Sequence, residues 1–337
     1  MPMRTLEAAR NPAAVAVRSA RRSVSRWRTA SLASLLLALG ACGGGGGGGG
    51  GAPGVVVPPP PPPPPPSAIN VNIDDPTLAV ADNTPVSSGG PLTLVWRDEF
   101  DADRLDPEKW FFETGDGSQY GIPGWGNNEL QWYLPDSALL EGGRLVITAR
   151  RQAAGGKSYT SARINTRDRF AFRYGRIEAR IRLPAGQGLW PAFWLMPQAS
   201  AYGTWAASGE IDILEARNLG GTGGNTIYGG LYYGGPWPQQ IGSGEEYVPA
   251  TNVTTEFHVY ALEWDETEIR WYVDDTLFAV RNDWSSTGGA FPAPFDKPFY
   301  ILFNLAVGGN YPGSPSTATV FPVTMEVDYV RVYSGGP

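Results

Sequence analysis

Residues 208–216 read SGEIDILEA, an apolar and β-prone run that three carboxylates interrupt. Glu210 and Asp212 keep the alternation of a β-strand, so their side chains are expected on the same face. Glu215 follows Glu210 by five residues, and this odd spacing would turn it to the opposite face of a regular strand. The stretch therefore predicts a strand with an irregularity before its third acid.

The crowding of these acids suggests chemistry. One reading is an exposed strand face whose acids serve solubility, but the apolar residues between them indicate a buried face and the segment contains no basic residue. Carboxylates on one face repel each other, which can raise the pKa of one carboxyl while another stays ionised. Hydrolysis of a glycosidic bond uses such a pair. We expect a β-bulge near Ile213-Leu214, because a bulge absorbs one residue and would return Glu215 to the face of Glu210 and Asp212.

The rest of the chain after about residue 67 predicts an all-β domain. Short alternating segments recur between turn residues, and an Asp274-Asp275 pair separates two of them as a hairpin turn would. The clearest predicted strands are residues 144–150, 175–183, 258–264, 268–273, 276–280 and 325–333. Many short strands at this spacing favour a sandwich or a barrel.

Tryptophans are concentrated in Gly- and Pro-rich segments rather than in alternating strands. The five such residues are Trp125, Trp190, Trp194, Trp205 and Trp237. One tryptophan in a turn is usually a core residue, but five are harder to bury. We interpret them as the lining of a concave groove, because flat apolar rings with polar edges suit the faces of sugar rings.

The N-terminus predicts export. Residues 1–42 contain seven arginines and one glutamate and then a short apolar run at 32–39, too short to span a membrane. The run ends in Leu39-Gly40-Ala41-Cys42, which resembles the bacterial lipobox and implies lipidation of Cys42, the only cysteine. An ordinary signal peptide cleaved nearby is the alternative. We expect an exported lipoprotein of the outer membrane or cell surface, anchored to the membrane by its N-terminal lipid.

Low-complexity sequence follows the signal. Gly43 to Gly51 predicts a flexible segment and Pro58 to Pro66 a stiff one, so residues 43–90 are expected to be a linker that tethers a domain at 91–337. Residues 1–42 contribute +6 to the net charge of −7, so the remainder carries −13. An acidic domain argues against nucleic acid as a partner and fits a neutral ligand. We expect a monomer.

Several segments resemble those of glycoside hydrolase family 16, and they occur in the same order along the chain. EIDILE looks like its active-site motif in the bulged form typical of endo-β-1,3-glucanases (laminarinases). Further segments that resemble the family are WRDEFD at 96–101, WGNNELQWY at 125–133, YTSARINT at 159–166, YGRIEARIRLP at 174–184, GLWPAFWLMP at 188–197, FHVYALEW at 257–264, FNLAVGGNYPG at 303–313 and VDYVRVY at 327–333. The resemblance implies a β-jelly-roll sandwich of two curved antiparallel sheets with a concave substrate groove.

The resemblance also implies roles for individual residues. Glu210 matches the nucleophile, Glu215 the general acid/base, and Asp212 a residue that hydrogen-bonds Glu210. Other matching positions are Trp190, Trp194 and Trp205 as shapers of the sugar subsites, and Asn127 and Arg163 as polar contacts there. For Asn127 and Arg163, structural hydrogen bonding is an equal alternative.

Neither a metal ion nor a histidine is expected to take part in catalysis. No cofactor is expected for catalysis, but family members often hold one structural Ca²⁺, and Glu99, Gly143 and Asp328 fall at the matching places. His258, the only histidine, is expected to be a structural residue. Tyr232 stands where many laminarinases have a histidine, which leaves fine substrate preference open.

Two other functions remain open at this point. One is a β-glucan-binding protein of the same fold without activity, although relatives of that kind have lost the glutamates that this chain keeps. The other is an enzyme that hydrolyses mixed-linkage glucan or a galactan. The resemblance favours an endo-acting, retaining β-1,3-glucanase with β-glucan as its partner.

Overall fold

The strands come from a computed structural model that describes residues 90–336. They are β1 (Gly90–Asp98), β2 (Phe111–Glu113), β3 (Gln131–Tyr133), β4 (Ala138–Leu140), β5 (Leu145–Ala149), β6 (Tyr159–Ser161), β7 (Arg163–Asn165), β8 (Ala171–Phe172), β9 (Gly175–Arg182), β10 (Leu189–Pro197), β11 (Glu210–Ala216), β12 (Ile227–Tyr233), β13 (Ile241–Tyr247), β14 (His258–Trp264), β15 (Ile269–Val273), β16 (Thr276–Arg281), β17 (Phe299–Val307) and β18 (Val323–Gly336). Helical segments in this part are 3₁₀ turns at Ser118–Tyr120, Pro123–Gly126, Pro135–Ser137 and Trp205–Ala207. The predicted signal, Cys42 and nearly all of the predicted linker lie outside the described residues.

Two large antiparallel sheets form the sandwich. The first sheet has the order β16-β15-β14-β9-β18-β5-β4, with β1 also paired to β18. The second sheet, here called the site sheet, has the order β13-β12-β11-β10-β17-β7-β2, with β8 also paired to β17. A small parallel pair joins β3 to β6. The predicted all-β jelly roll is confirmed.

Alternation along the strands builds the core between the sheets. Ile211 and Leu214 of β11 are fully buried, as are Phe193 of β10 and Phe303 of β17, whose rings stack with centroids 4.7 Å apart. The first sheet contributes Trp271 and other buried residues of the same cluster. Burying apolar area at about 25 cal/mol per Å² is what holds the two sheets together.

The predicted strand limits agree closely with the observed ones. The segment 258–264 coincides with β14, and the segment 276–280 lies within β16. Asp274 and Asp275 both have positive φ, 47° and 64°, as the two central residues of a hairpin turn between β15 and β16 require. Among residues 90–336, no helix has the length and apolar character needed to cross a bilayer.

The predicted bulge in β11 is present. Asp212 pairs with Gly230 of β12, and the next aligned pair is Glu215 with Tyr228, so three steps along β11 match two along β12. The pairing of β11 with β10 shifts at the same place. One extra residue is therefore absorbed between Asp212 and Glu215, as expected from the spacing of the acids.

An indole from the opposite sheet contacts this bulge. Trp271 of β15 is fully buried, and its Nε1 donates a hydrogen bond of 2.8 Å to the backbone oxygen of Asp212. Gly229 of β12 provides the room, because a Cβ atom at this position would lie 2.6 Å from Cδ1 of Trp271. A buried carbonyl at an irregular ladder position thus has a partner across the core.

The close approach at Gly229 predicts a stability defect. Gly229→Ala should reduce the free energy of unfolding by about 1–3 kcal/mol, because the added methyl group overpacks the contact with Trp271. Urea unfolding would measure the loss. Gly221→Ala is the matched control, since its Cβ would lie 3.5 Å from the nearest atom, the backbone oxygen of Asn218. Equal stability losses in the two variants would contradict the packing argument.

Candidate active site

The three acids of β11 lie on the outer face of the site sheet. Glu210 and Asp212 alternate on that face, and the bulge restores Glu215 to it. Trp194 of β10 is aligned with Asp212, so its side chain is on the same face. Trp190 lies four residues earlier on β10 and contacts Glu215. The predicted grouping of the acids is therefore what the fold produces.

Each glutamate accepts a hydrogen bond from a tryptophan. Trp190 Nε1 donates to Oε1 of Glu215 at 2.7 Å, and Trp205 Nε1 donates to Oε2 of Glu210 at 2.8 Å. Trp205 starts a 3₁₀ turn with a φ of 46° and so enters the site from a loop. The sequence predicted both indoles as sugar contacts, and the structure adds that they orient the carboxylates.

Burial and mutual repulsion shift the pKa values of the acids upward. Burial raises the pKa of Glu215 to about 7, and the nearby Glu210 carboxylate also raises it. Burial likewise raises the pKa of Glu210 to about 7, against the opposing effects of the Trp205 hydrogen bond and the Arg163 charge. Carboxyls with these values can hold a proton or release it near neutral pH, as acid/base catalysis requires.

Asp212 is the most strongly perturbed of the three. Its side chain is 2% exposed, and Oδ2 is buried without a hydrogen-bond partner among the described residues. Burial raises the pKa of Asp212 well above its usual range, and the charges of Glu215 and Glu210 add to the effect. Burial therefore favours the protonated form of this carboxyl, which has a proton to donate. Its hydrogen bond to Glu210 stays a prediction.

A polar cavity of about 360 Å³ opens beside Glu215. Arg217 lies over the ring of Tyr311 with its guanidinium carbon 4.3 Å from the ring centroid, and Tyr311 also packs edge-on against Trp190 at 5.2 Å. The lining residues are Glu215, Ala216, Arg217, Asn218, Thr222, Gly223, Thr226, Ile227, Tyr228, Glu246 and Tyr311. The cavity is large enough for a sugar unit next to the acid/base candidate.

Arg163 lies between the indole rings of Trp125 and Trp194. Its guanidinium carbon is 4.6 Å from the ring centroid of Trp125 and 4.8 Å from that of Trp194. It also pairs with the carboxylate of Glu113. Asn127 is half-buried, with Nδ2 3.5 Å from Glu129 Oε1. Both predicted polar residues thus have protein partners, and their contact with substrate stays a prediction.

Tyr232 lies next to the nucleophile candidate. It is aligned with Glu210 across the β11–β12 ladder, and its ring centroid is 5.6 Å from that of Trp205. The tyrosine that departs from the common laminarinase pattern therefore adjoins the acids of β11, as a groove contact would. Trp237 follows β12 and is 71% exposed, so it does not line the core.

The candidate metal positions lie on neighbouring elements. Glu99 follows β1, Gly143 is in the turn before β5, and Asp328 is in β18, which pairs with both strands. Arg331 binds the carboxylate of Glu99 at 2.8 and 2.9 Å, and Arg180 binds Asp328 at 2.7 Å. In residues 90–336 no three His, Cys, Asp or Glu side chains cluster as metal ligands. Backbone oxygens and Asp328 remain the donors with which Ca²⁺ binding would have to be built.

His258 has a structural position. Its ring is buried, with Nδ1 2.5 Å from Oδ2 of Asp274 and Nε2 3.2 Å from the hydroxyl of Thr251. Asp274 also accepts a hydrogen bond from the backbone N–H of Val259. These contacts agree with the expected structural role of His258, and they join β14 to the turn between β15 and β16.

One buried acid near the site was not predicted. Glu129 lies within WGNNELQWY and is 4% exposed, and burial raises its pKa. Its negative charge also raises the pKa of Glu215. An acid in a Trp-rich segment was the available signal, and its side-chain partners Gln131 and Tyr133 are near neighbours in the chain. Only the folded structure shows that the carboxylate is buried.

A jelly roll with two glutamates on one groove-facing strand, each held by an indole N–H, defines a glycoside hydrolase. The match to the model of glycosyl hydrolases family 16 covers residues 126–331. The chain belongs to this family.

Relatives and solved structures agree with this assignment. The chain is 40% identical over 287 residues to glucan endo-1,3-beta-glucosidase A1 of Niallia circulans, a match that covers 78% of this chain but 42% of that protein. It is 41% identical to a beta-glucanase of Rhodothermus marinus, covering 71% of this chain and 84% of that one. The laminarinase catalytic domain of Thermotoga maritima superposes with a TM-score of 0.65 at 38% identity, covering 74% of this chain and all of that domain.

The raised pKa of Asp212 predicts a pH-dependent stability. Because the pKa is higher in the folded than in the unfolded state, folding favours the protonated carboxyl, and the stability falls as pH rises through the folded pKa. Asp212→Asn cannot ionise at this position, so its melting temperature relative to wild type should rise as the pH increases from the unfolded pKa of an aspartate toward the raised folded pKa. Calorimetric melting at several pH values measures this. A difference that stays constant with pH would contradict the assignment.

Proposed function

We propose that this protein is an endo-acting, retaining glycoside hydrolase that cleaves β-1,3-glucan of the laminarin type. The observation that carries the proposal is the bulge in β11, which brings Glu210 and Glu215 to one face beside Asp212. The sequence similarity to β-1,3-glucanases supports the choice of glucan as substrate. No organic cofactor is needed for this chemistry.

The proposed reaction has two displacements. The ionised carboxylate of Glu210 attacks the anomeric carbon while protonated Glu215 gives its proton to the departing glycosidic oxygen, which leaves a glycosyl ester on Glu210. Glu215, now a carboxylate, takes a proton from water as the water oxygen attacks the same carbon and releases Glu210. Two inversions leave the configuration of the anomeric carbon retained.

The site chemistry is suited to this exchange of roles. The indole N–H of Trp205 stabilises the charge on Glu210 before attack, and burial together with the repulsion from Glu210 keeps a proton on Glu215. When Glu210 becomes an ester it loses its charge, so the pKa of Glu215 falls at the moment when a base is required. Asp212, when protonated, can donate its proton toward Glu210 and stabilise it as the leaving group.

Mutation of the two glutamates tests the assignment on laminarin. Glu210→Gln should lose turnover by at least about a thousandfold in a reducing-sugar assay while retaining glucan binding. Glu215→Ala should recover part of its activity with azide or with substrates that carry a good leaving group, because these need less protonation.

The exposed Glu245→Gln on β13 is the control and should match wild type. Wild-type protein that binds laminarin without releasing sugar would identify a binding protein instead. Faster release of reducing sugar from mixed-linkage glucan or from a galactan would show that the assigned substrate is wrong. NMR of the first-formed anomer tests the mechanism, because an inverted anomeric configuration would contradict retention.

We also propose that the protein is exported and anchored through lipid on Cys42. The arginine-rich start, the short apolar run and the single cysteine in LGAC support this. In a Gram-negative host, Cys42→Ala should abolish labelling by radioactive palmitate and move the protein from the membrane pellet to the soluble fraction. Unchanged labelling would exclude this cysteine as the attachment site.

A structural Ca²⁺ near Asp328 is the third proposal. The site would be built from backbone oxygens of the turn at Gly143 and of the segment after β1 together with the carboxylate of Asp328, since Ca²⁺ prefers oxygen ligands. Asp328 would exchange its ion pair with Arg180 for the metal. Added Ca²⁺ should raise the melting temperature of chelator-treated protein, and Asp328→Asn should remove the increase. An equal increase with Mg²⁺, or none with Ca²⁺, would contradict it.

A further inference from the structure

A buried chain of hydrogen bonds connects Glu129 to Trp194, which lies beside the acids of β11. Trp194 Nε1 donates to Oδ1 of Asn304 at 2.8 Å, and Asn304 Nδ2 donates to the hydroxyl of Tyr133 at 3.3 Å. That hydroxyl donates to Oε2 of Glu129 at 3.2 Å, and Gln131 Nε2 donates to the same oxygen at 2.6 Å. Each donor along the chain therefore has a defined acceptor, and the chain ends on a carboxylate.

The far end of this chain is held firmly. Tyr133 and Gln131 are fully buried, and Glu129 and Asn304 are nearly so. The Oε1 atom of Gln131 accepts the backbone N–H of Val307 at 2.8 Å, which fixes the amide orientation. Because buried polar groups without partners are unfavourable, this network has essentially one satisfied arrangement.

The near end of the chain is a groove residue. Trp194 is half-buried and aligned with Asp212 across the β10–β11 ladder. One of its neighbours is the guanidinium of Arg163, which lies between Trp194 and Trp125. The indole orientation beside the acids is thus set by Arg163 over its ring and by Asn304 at its N–H.

We propose that Glu129, Tyr133 and Asn304 are positioning residues that hold Trp194 as a sugar-stacking platform next to the catalytic acids. This inference rests on the proposed glycoside hydrolase function. Trp194 touches the sugar, and the other three act through it. An indole with a fixed ring plane binds a sugar face with less loss of conformational freedom than a mobile one.

The network requires an acceptor at Glu129 rather than its charge. Both donors converge on Oε2, which an amide oxygen can replace, so Glu129→Gln should keep the chain intact. Glu129→Ala removes the acceptor and leaves the hydroxyl of Tyr133 and the amide of Gln131 without it. The conservative variant should therefore retain most of the affinity that the alanine variant loses.

Tyr133→Phe is the most direct test, because it deletes the middle hydroxyl and little else. The KM for laminarin should rise about threefold to tenfold, with kcat within about twofold of wild type, since a hydrogen bond that orders a ground-state contact is lost. Tyr260→Phe is the matched control. Tyr260 is also fully buried, but its hydroxyl has no hydrogen-bond partner among the described residues, so its removal should leave KM unchanged.

A double-mutant cycle with Trp194→Phe tests whether the effect passes through the indole. Phenylalanine has no N–H, so Tyr133→Phe should add little to KM in that background, and the two effects should not be additive. Additive effects, or equal changes in the two tyrosine variants, would overturn the proposal.

A measurement without substrate separates this proposal from the proposed function. Tyr133→Phe should change the near-ultraviolet circular dichroism of the free protein, and the change should be largely absent in the Trp194→Phe background. Protein that fails to hydrolyse laminarin but shows this coupling would refute the function and keep the network. Active protein without the coupling would refute the network alone.

Discussion

One inserted residue in β11 determines the chemistry of the site. Without it, Glu215 would point into the core between the sheets, and a buried, unpaired carboxylate would destabilise the fold. The bulge turns this side chain outward while Leu214 stays fully buried. The indole of Trp271 reaches across the core to the carbonyl of Asp212 and so ties this irregular place to the opposite sheet. The local distortion is therefore supported by the whole sandwich.

Crowding of the acids is unfavourable for stability and useful for reactivity. Burial raises the pKa of all three carboxyls, and repulsion adds to the shifts of Glu215 and Asp212. Indole N–H groups reduce this effect for the two glutamates without introducing a charge that would hold them permanently ionised. Neutral donors keep the pKa values near neutrality, where both protonation states are accessible.

The tryptophans of the groove have two kinds of role. Trp190 and Trp205 use their N–H groups on the carboxylates, whereas the N–H of Trp194 is directed into the protein toward Asn304. An indole whose polar edge is already satisfied has an apolar ring left for sugar. All three residues are tryptophans, so their roles differ only because their N–H groups have acceptors in different places.

Local pattern predicted the all-β class and several of the strands, whereas the jelly roll was implied by the family resemblance. Alternation located β14 and β16, and the Asp274-Asp275 pair located the turn between β15 and β16. The odd spacing of the acids predicted the bulge in β11. The same reasoning failed to identify Glu129, and it could not show that Arg163 lies between two indoles and pairs with Glu113. Those contacts join residues far apart in the chain.

What the sequence by itself determined is the all-β class, the shared face of the three acids and the class of chemistry that they suit, because alternation and the spacing of the acids are local properties of a strand. Tertiary structure alone decided which groups surround the acids. The donor to Glu215, the hydrogen bond from Trp271 and the network behind Trp194 depend on strand pairing and sheet packing, and these pairings are not encoded in any single local segment.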